Sequence, residues 1–469
     1  MNAARATILL GMLPLVPRRE AHEARRARLA ARLGNRPALI ASGLPRPRNY
    51  AANQYPFRAS SHFLYLFGLP LRGAAAIYDG AAFTLYLPDP QPDQALWEGE
   101  PPSAEEIGEA TGCAVRPLAR LPASVRGRAV ATLPAPDVET CLEQSRLLGR
   151  DIRRGVIDVL DAPLADAIID LRLHHDDAAR DELRLAAAAT AAAHAAGMAA
   201  TRPGRTAAEV RAAMEAVLMA RGMGCAYPSI VTPHGEILHS ERYDVRLNDG
   251  DLLLADVGAE TPGGWAGDVT RTWPASGRYS STQREIYEVV LAAQKQAIAA
   301  VTPGSRYLNV HVLACQALAA GLADLGILRG NPIELAADGV VALLFPHGIG
   351  HLLGLDVHDM EDLGDRAGYA PGRERAKAFG LRSLRLDRDL EPGMAVTIEP
   401  GFYISPAILA DPALTRVAGD RLDRKRLEAF SDVRGIRIED DVLVTDSGRE
   451  VLTDAIPKSI AAVEAAMAV

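Results

Sequence analysis

The stretch Phe345-Pro346-His347-Gly348-Ile349-Gly350-His351-Leu352-Leu353-Gly354-Leu355-Asp356-Val357-His358-Asp359 gathers three of the chain's eleven histidines within twelve residues. His347 and His351 are four apart and could share a helix face. Gly348, Gly350 and Gly354 oppose that reading, because glycine inside a helix costs about 1 kcal/mol relative to alanine. The stretch therefore reads as a glycine-rich turn or bulged strand, whose missing side chains let backbone and ligand come close. It is not the helical zinc motif of many proteases, since Gly348 follows His347 and no glutamate lies between His347 and His351. A metal bound here must draw most of its ligands from elsewhere in the chain.

Acids embedded in apolar strands are the candidates. Leu252-Leu253-Leu254-Ala255-Asp256-Val257-Gly258 is apolar enough for a buried strand and carries one carboxylate. Burying it uncompensated is prohibitive, so Asp256 calls for a cation. Twelve residues on, Gly267-Asp268-Val269-Thr270-Arg271-Thr272-Trp273 reads as a second strand, with Pro262-Gly263-Gly264 as the turn between them. A hairpin closed at residue 262 would set Asp256 opposite Asp268, with Cβ atoms roughly 5 Å apart. Carboxylates so placed repel unless a metal or a shared proton compensates.

The same oddity recurs in Met394-Ala395-Val396-Thr397-Ile398-Glu399-Pro400-Gly401 and in Gly435-Ile436-Arg437-Ile438-Glu439-Asp440-Asp441-Val442-Leu443-Val444. Each reads as a strand with an acid, Glu399 or Glu439, among β-branched residues. Four carboxylates and one imidazole from the histidine stretch form an oxygen-dominated donor set, suited to hard or borderline divalent ions such as Mn²⁺. Four negative charges point to two metals.

At 469 residues the chain has room for two or three domains. A formal charge of −8 argues against a broad footprint for nucleic acid or an anionic membrane. The four cysteines, Cys113, Cys141, Cys225 and Cys315, form no C-x-x-C pair, which fits buried thiols in a reducing compartment. The apolar run at 8–16 is too short to span a bilayer. A soluble, cytoplasmic protein is expected.

Residues 19–34 place Leu29 and Leu33 at helical spacing, and 37–41 reads as a buried strand. Ala75-Ala76-Ile77-Tyr78 and Phe83-Thr84-Leu85-Tyr86-Leu87 flank Asp79-Gly80, a hairpin signal. Strand-like runs near Val115 and at 129–133 complete an α/β domain over 1–165, followed by a linker at 166–180. From 178 to 222 the alanine-rich pattern, broken at Pro203-Gly204, predicts two helices joined by a turn. Strands at 229–232, 251–258 and 267–273, then helices at 282–302 and 311–325, describe an α+β catalytic domain over 181–469.

Asp256-Val257-Gly258, Gly267-Asp268-Val269-Thr270-Arg271-Thr272, His347-Gly348-Ile349-Gly350-His351 with Val357-His358-Asp359, Pro392-Gly393-Met394 with Glu399-Pro400-Gly401, and Arg437-Ile438-Glu439-Asp440-Asp441 resemble five signature segments of one family. These are the pita-bread metallopeptidases that cleave Xaa-Pro bonds, aminopeptidase P and prolidase. The first domain is similar to the aminopeptidase P N-terminal domain through Tyr55-Pro56-Phe57-Arg58-Ala59-Ser60-Ser61-His62-Phe63-Leu64-Tyr65-Leu66 and Trp97-Glu98-Gly99. The resemblance implies that Asp256, Asp268, His351, Glu399 and Glu439 hold two Mn²⁺ ions, and that His347, His358, His239 and Arg437 line the substrate site. It implies a metal-bridging hydroxide attacking the Xaa-Pro carbonyl, Glu399 shuttling its proton, and histidines stabilising the oxyanion. Where the family often has His-Tyr, this chain has His239-Ser240.

Two activities fit. An aminopeptidase removes the first residue from peptides with proline second; a prolidase cleaves only the dipeptide. Leu381-Arg382-Ser383-Leu384-Arg385 and the extended segment at 404–434 look like eukaryotic-type prolidase, in which an arginine at Arg385 could clamp a dipeptide's free carboxylate bidentately and so exclude longer chains. The two-domain arrangement favours the aminopeptidase, and a homo-oligomer is expected. A metal-free pita-bread binding protein or a creatine-amidinohydrolase-like enzyme would lack the acidic ligands, whereas all five positions are intact here.

Overall fold

The computed structural model describes residues 19–468; the apolar run at 8–16 lies outside them. Among them two compact units emerge: residues 19–178 with Pro262–Gly264 and Met360–Gly364, and the remainder of the described residues.

In the first unit, helix Arg19–Leu33 buries Leu29 and Leu33 as their spacing predicts. Its buried Arg25 forks onto both oxygens of Asp176, at 2.8 and 2.7 Å, so the cation is compensated. Strands β1 (Ala38–Ala41), β2 (Ala75–Tyr78), β3 (Phe83–Leu87), β4 (Ala114–Pro117) and β5 (Ala131–Thr132) form one sheet in the order β4-β3-β2-β1-β5. β2 and β3 make the expected hairpin, with Ala75 across from Tyr86. The Asp79 carboxylate closes its turn by accepting from the amides of Ala81 and Ala82 at 2.9 and 3.0 Å. The β3–β4 pair is parallel and needs a crossover, supplied by helix Ala104–Thr111. Leu39, Ile77, Tyr86, Leu121, Val125 and Val130 pack as the core between sheet and helices.

Residues 166–180, expected as a linker, are mostly helical, in Ala162–Leu173 and the start of Asp177–Ala200. Ile168, Ile169 and Leu171 are buried there. Burying a large aliphatic side chain stabilises by about 1.5–3 kcal/mol, so the segment folds onto the unit instead of spanning.

In the second unit, helices Asp177–Ala200 and Ala207–Met219 flank the Pro203-Gly204 turn, and Thr206 with Glu209 forms a reciprocal capping box. The strands are β6 (Gly224–Cys225), β7 (Ile230–Thr232), β8 (Leu252–Asp256), β9 (Ala259–Glu260), β10 (Thr270–Pro274), β11 (Ala395–Ile398), β12 (Gly401–Tyr403), β13 (Gly435–Arg437), β14 (Asp440–Thr445) and β15 (Gly448–Val451). They pair as β10-β8-β7, β11-β14-β15, β12-β13 and β6-β9. Helices Ser281–Ala300 and Tyr307–Asp324 bury Val290, Ala293, Ala297, Val310, Ala314 and Leu318.

Two details differ from the sequence reading. Asp256 pairs with Thr270, not Asp268, because the β8–β10 hairpin closes one residue later than the Pro262 midpoint. A one-residue move of the turn centre shifts cross-strand partners by two, which keeps both acids on one face but sets them diagonally. Further, Glu399 and Glu439 do not lie inside strands. Each occupies a two-residue break, between β11 and β12 and between β13 and β14, where the ribbon passes from one sheet to the other. Their amides bond sideways instead, Glu399 to the Ile349 carbonyl at 2.8 Å and Glu439 to the Thr270 carbonyl at 3.0 Å.

Candidate metal centre

The histidine stretch is irregular and runs alongside β11, as the bulged-strand reading expects. Leu353 N donates to Ala395 O and Thr397 N to His351 O, both at 3.0 Å. A side chain at Gly350 would collide with the Thr397 carbonyl and the Tyr307 hydroxyl, so only glycine lets the two segments close. That closure carries His351 to the Glu399 break.

The ten residues singled out from sequence share one cavity of about 250 Å³: His239, Asp256, Asp268, His347, His351, His358, Arg385, Glu399, Arg437 and Glu439 line it, with Leu238, Ser383 and glycines of the histidine stretch. Oxygen or nitrogen atoms of Asp268, His351 and Glu439 all lie within 4.8 Å of one another. His351 Nε2 is 3.3 Å from Asp268 Oδ2 and 3.8 Å from Glu399 Oε1. Its Nδ1 lies 3.0 Å from the Leu352 carbonyl. A carbonyl only accepts, so Nδ1 carries the proton and Nε2 turns toward two carboxylates. A lone pair facing acids is stable only around a cation or a shared proton.

The electrostatics say the same. Burial, and then Asp256, push Asp268 up to about 8. Burial raises Glu399 to about 7 although His351 and Arg437 oppose it. Burial with Asp268 and Glu399 nearby lifts Glu439 well above the usual carboxylate range. Arg437 supplies one internal positive charge, through Nη2 to Asp256 Oδ2 at 2.6 Å. One guanidinium cannot neutralise four acids, so the donor set fits added divalent cations and would hold them with hard oxygen ligands and one imidazole.

Three groups that sequence reading passed over complete the site. Tyr227 Oη lies 2.6 Å from both Asp256 Oδ1 and Asp268 Oδ1. A hydroxyl has one proton to give, so the second contact is satisfied when Asp268 is protonated. Thr270 Oγ1 donates to Glu439 Oε2 and accepts from Arg437 Nε, each at 2.8 Å. Tyr403 Oη accepts from Arg437 Nη1 at 3.2 Å and lies 2.8 Å from His347 Nε2. Since His347 Nδ1 bonds the Gly348 carbonyl at 2.8 Å, Tyr403 must be the donor to Nε2. Burial, then Arg437, hold His347 down at about 3, so it is neutral at physiological pH. Only the register of β8 and β10 marked Thr270; nothing in Ala226-Tyr227-Pro228 or Phe402-Tyr403-Ile404 signalled the tyrosines.

Known proteins resemble both parts of this chain. The model of metallopeptidase family M24 matches residues 181–446, and that of the aminopeptidase P N-terminal domain matches residues 22–131. The human Xaa-Pro dipeptidase is 30% identical over 94% of this chain and 92% of its own length. A probable Xaa-Pro aminopeptidase of Penicillium rubens is 34% identical over 87% of this chain and 88% of its own. Among solved structures, the aminopeptidase PepP of Pseudomonas aeruginosa superposes with a TM-score of 0.78 at 30% identity, covering 96% of this chain and 98% of that one. The fold is the expected α+β pita-bread domain preceded by a smaller α/β aminopeptidase P-type domain. With one family model spanning more than half of its length and relatives matching it nearly end to end, the chain belongs to metallopeptidase family M24.

Proposed function

We propose that the chain is a Xaa-Pro aminopeptidase, hydrolysing the bond between an N-terminal residue and a following proline. The observation that carries this reading is the convergence of five metal-type donors with three further histidines and two arginines on one cavity. The relatives and the aminopeptidase-type first domain support it. In this reading Asp256, Asp268, His351, Glu399 and Glu439 hold two divalent ions, for which Mn²⁺ suits the oxygen-dominated donor set. Such ions, when bound, supply Lewis acidity toward a peptide carbonyl and acidify water.

The protein's own groups do the rest. Glu399 takes the proton released by the attacking water on its carboxylate and returns it to the departing proline nitrogen. His358 and His239 donate to the oxyanion that develops on the scissile carbonyl. His347, with both ring nitrogens engaged, acts through Tyr403 and so fixes Arg437 against Asp256. The test is hydrolysis of Ala-Pro-Ala by purified protein with Mn²⁺, alongside metal analysis. Stoichiometric metal and release of alanine are expected; protein that binds no divalent metal and releases no alanine would remove the reading.

A second reading, Xaa-Pro dipeptidase, is favoured by Arg385 and Ser383 lining the same cavity and by the human relative. If Arg385 holds a dipeptide's carboxylate, its loss costs about 1.5–3 kcal/mol. Arg385→Ala would then lower kcat/KM for Ala-Pro roughly ten- to hundredfold. An aminopeptidase would cleave Ala-Pro-Ala as wild type and respond little to the change on either substrate.

A further inference from the structure

Leu238 and His239 form one wall of the cavity, yet they sit in the irregular stretch between β7 and β8. An irregular wall needs an external brace if it is to hold a substrate at fixed distance. The brace comes from Arg434, just ahead of β13. Its Nε donates to Glu236 Oε2 at 3.1 Å and its Nη2 to Glu236 Oε1 at 2.6 Å, a two-pronged bond, while Nη2 also lies 2.5 Å from His234 Nδ1. Glu236 is nearly buried, with 9% of its side chain exposed, and among the described residues its ion-pair partners are Arg434 and, when protonated, His234.

Two further features mark the contact as built. Arg434 has φ +58, one of only two non-glycine residues in the left-handed region among the described residues. Bulky residues rarely adopt that conformation unless the surroundings impose it, and such residues gather at functional sites. Beneath the ion pair the two backbones touch: a Cβ at Gly235 would lie 2.5 Å from the Gly435 carbonyl oxygen, and a Cβ at Gly435 would strike Gly235 in return. From this crossing the chain runs one way to Leu238 and His239, and the other way along β13 to Arg437, which holds Asp256, and to Glu439.

We propose that Arg434 and Glu236 are a positioning clamp, locking the Leu238–His239 wall to the strand that carries Arg437 and thereby setting affinity for the peptide lodged between them. The clamp rests on the peptidase reading above. Arg434 touches neither the metal-type donors nor the cavity, so its effect belongs in substrate affinity.

The test uses the full-length protein loaded with Mn²⁺ and the variants Arg434→Gly, Arg434→Lys and Glu236→Gln. Glycine at 434 relieves the left-handed backbone while removing the clamp. Arg434→Gly is expected to raise KM for Ala-Pro-Ala about tenfold with kcat changed less than twofold and unchanged metal content. Glu236→Gln should raise KM similarly, and Arg434→Lys should recover part of the loss. Hydrogen exchange of the 236–240 amides should quicken in Arg434→Gly whether or not the substrate is correct. Quickened exchange in a protein whose wild type cleaves no Xaa-Pro peptide would retain the clamp and remove the peptidase reading. Unchanged exchange and unchanged KM in an active enzyme would overturn the clamp, as would a lowered Tm with KM unaltered.

Discussion

Glu439 and Asp440 are adjacent, both buried, and live in opposite electrostatic worlds. Asp440 Oδ1 accepts from Arg271 at 2.8 Å and from the Thr453 hydroxyl at 2.8 Å, while Oδ2 accepts from Lys458 at 2.7 Å and Gln294 at 2.6 Å. Burial pushes its carboxyl up, but Arg271 and Lys458 outweigh that and hold it below the usual range. Glu439 turns the other way, toward Asp268 and Glu399, and is driven up by burial and by them. One acid belongs to an ion cluster the fold completes itself; the other belongs to a cluster that requires cations from solution. The lesson is that a buried carboxylate in a strand-like run is no site until its counter-charges are counted.

The largest test strikes the incomplete cluster. Asp268→Asn should lower kcat with Mn²⁺ by roughly a thousandfold or more, while leaving the chelator-treated protein at least as stable as wild type. Wild-type turnover in that variant would take Asp268 out of the site. Its mirror image strikes the complete cluster: Asp440→Asn leaves Arg271 and Lys458 buried without their carboxylate and should cost about 3 kcal/mol or more in urea unfolding. Full stability there would erase the contrast.

Within the site, removing a group placed toward substrate should spare the metal. His358→Ala is expected to reduce kcat about a hundredfold with metal content unchanged by mass spectrometry. Loss of metal would mean that the ligand and substrate roles of His351 and His358 have been exchanged.

The smallest effect is in pH dependence. Without metal, folded protein holds protons on Asp268 and Glu399 up to about pH 8 and 7, whereas the unfolded chain releases them near its ordinary carboxylate values. The unfolded state then binds fewer protons, so these groups make stability fall as pH rises from about 4 to 8. Asp440 acts with the opposite sign: its depressed pKa contributes stability above the unfolded value that is lost as pH falls. Chelator-treated wild type should therefore lose roughly 1–3 kcal/mol more than Asp268→Asn between pH 5 and 8. Parallel pH profiles for the two proteins would show that Asp268 ionises normally in the metal-free fold.

Much of this was legible in order along the chain. Glycine's penalty in helices marked 345–359 as irregular, and apolar runs interrupted by Asp256, Asp268, Glu399 and Glu439 marked acids that cannot be buried alone. The two alanine-rich helices and the Asp79-Gly80 hairpin follow from local periodicity and turn chemistry. These are properties of short windows, and a single sequence contains them.

What the tertiary structure alone decided depends on where distant windows meet. The Asp256–Thr270 register turned on the hairpin closing one residue later than its midpoint. The placement of Glu399 and Glu439 at strand breaks followed from two ribbons changing sheets together. Tyr227, Thr270 and Tyr403 became part of the site only through contacts spanning 29 to 169 residues, and Arg434 reached Glu236 across 198. Sequence fixes which side chains carry charge and which backbones bend, because those are local chemistry. Which charge answers which is set by packing in three dimensions, because burial and Coulomb energy depend on distance in space and not along the chain.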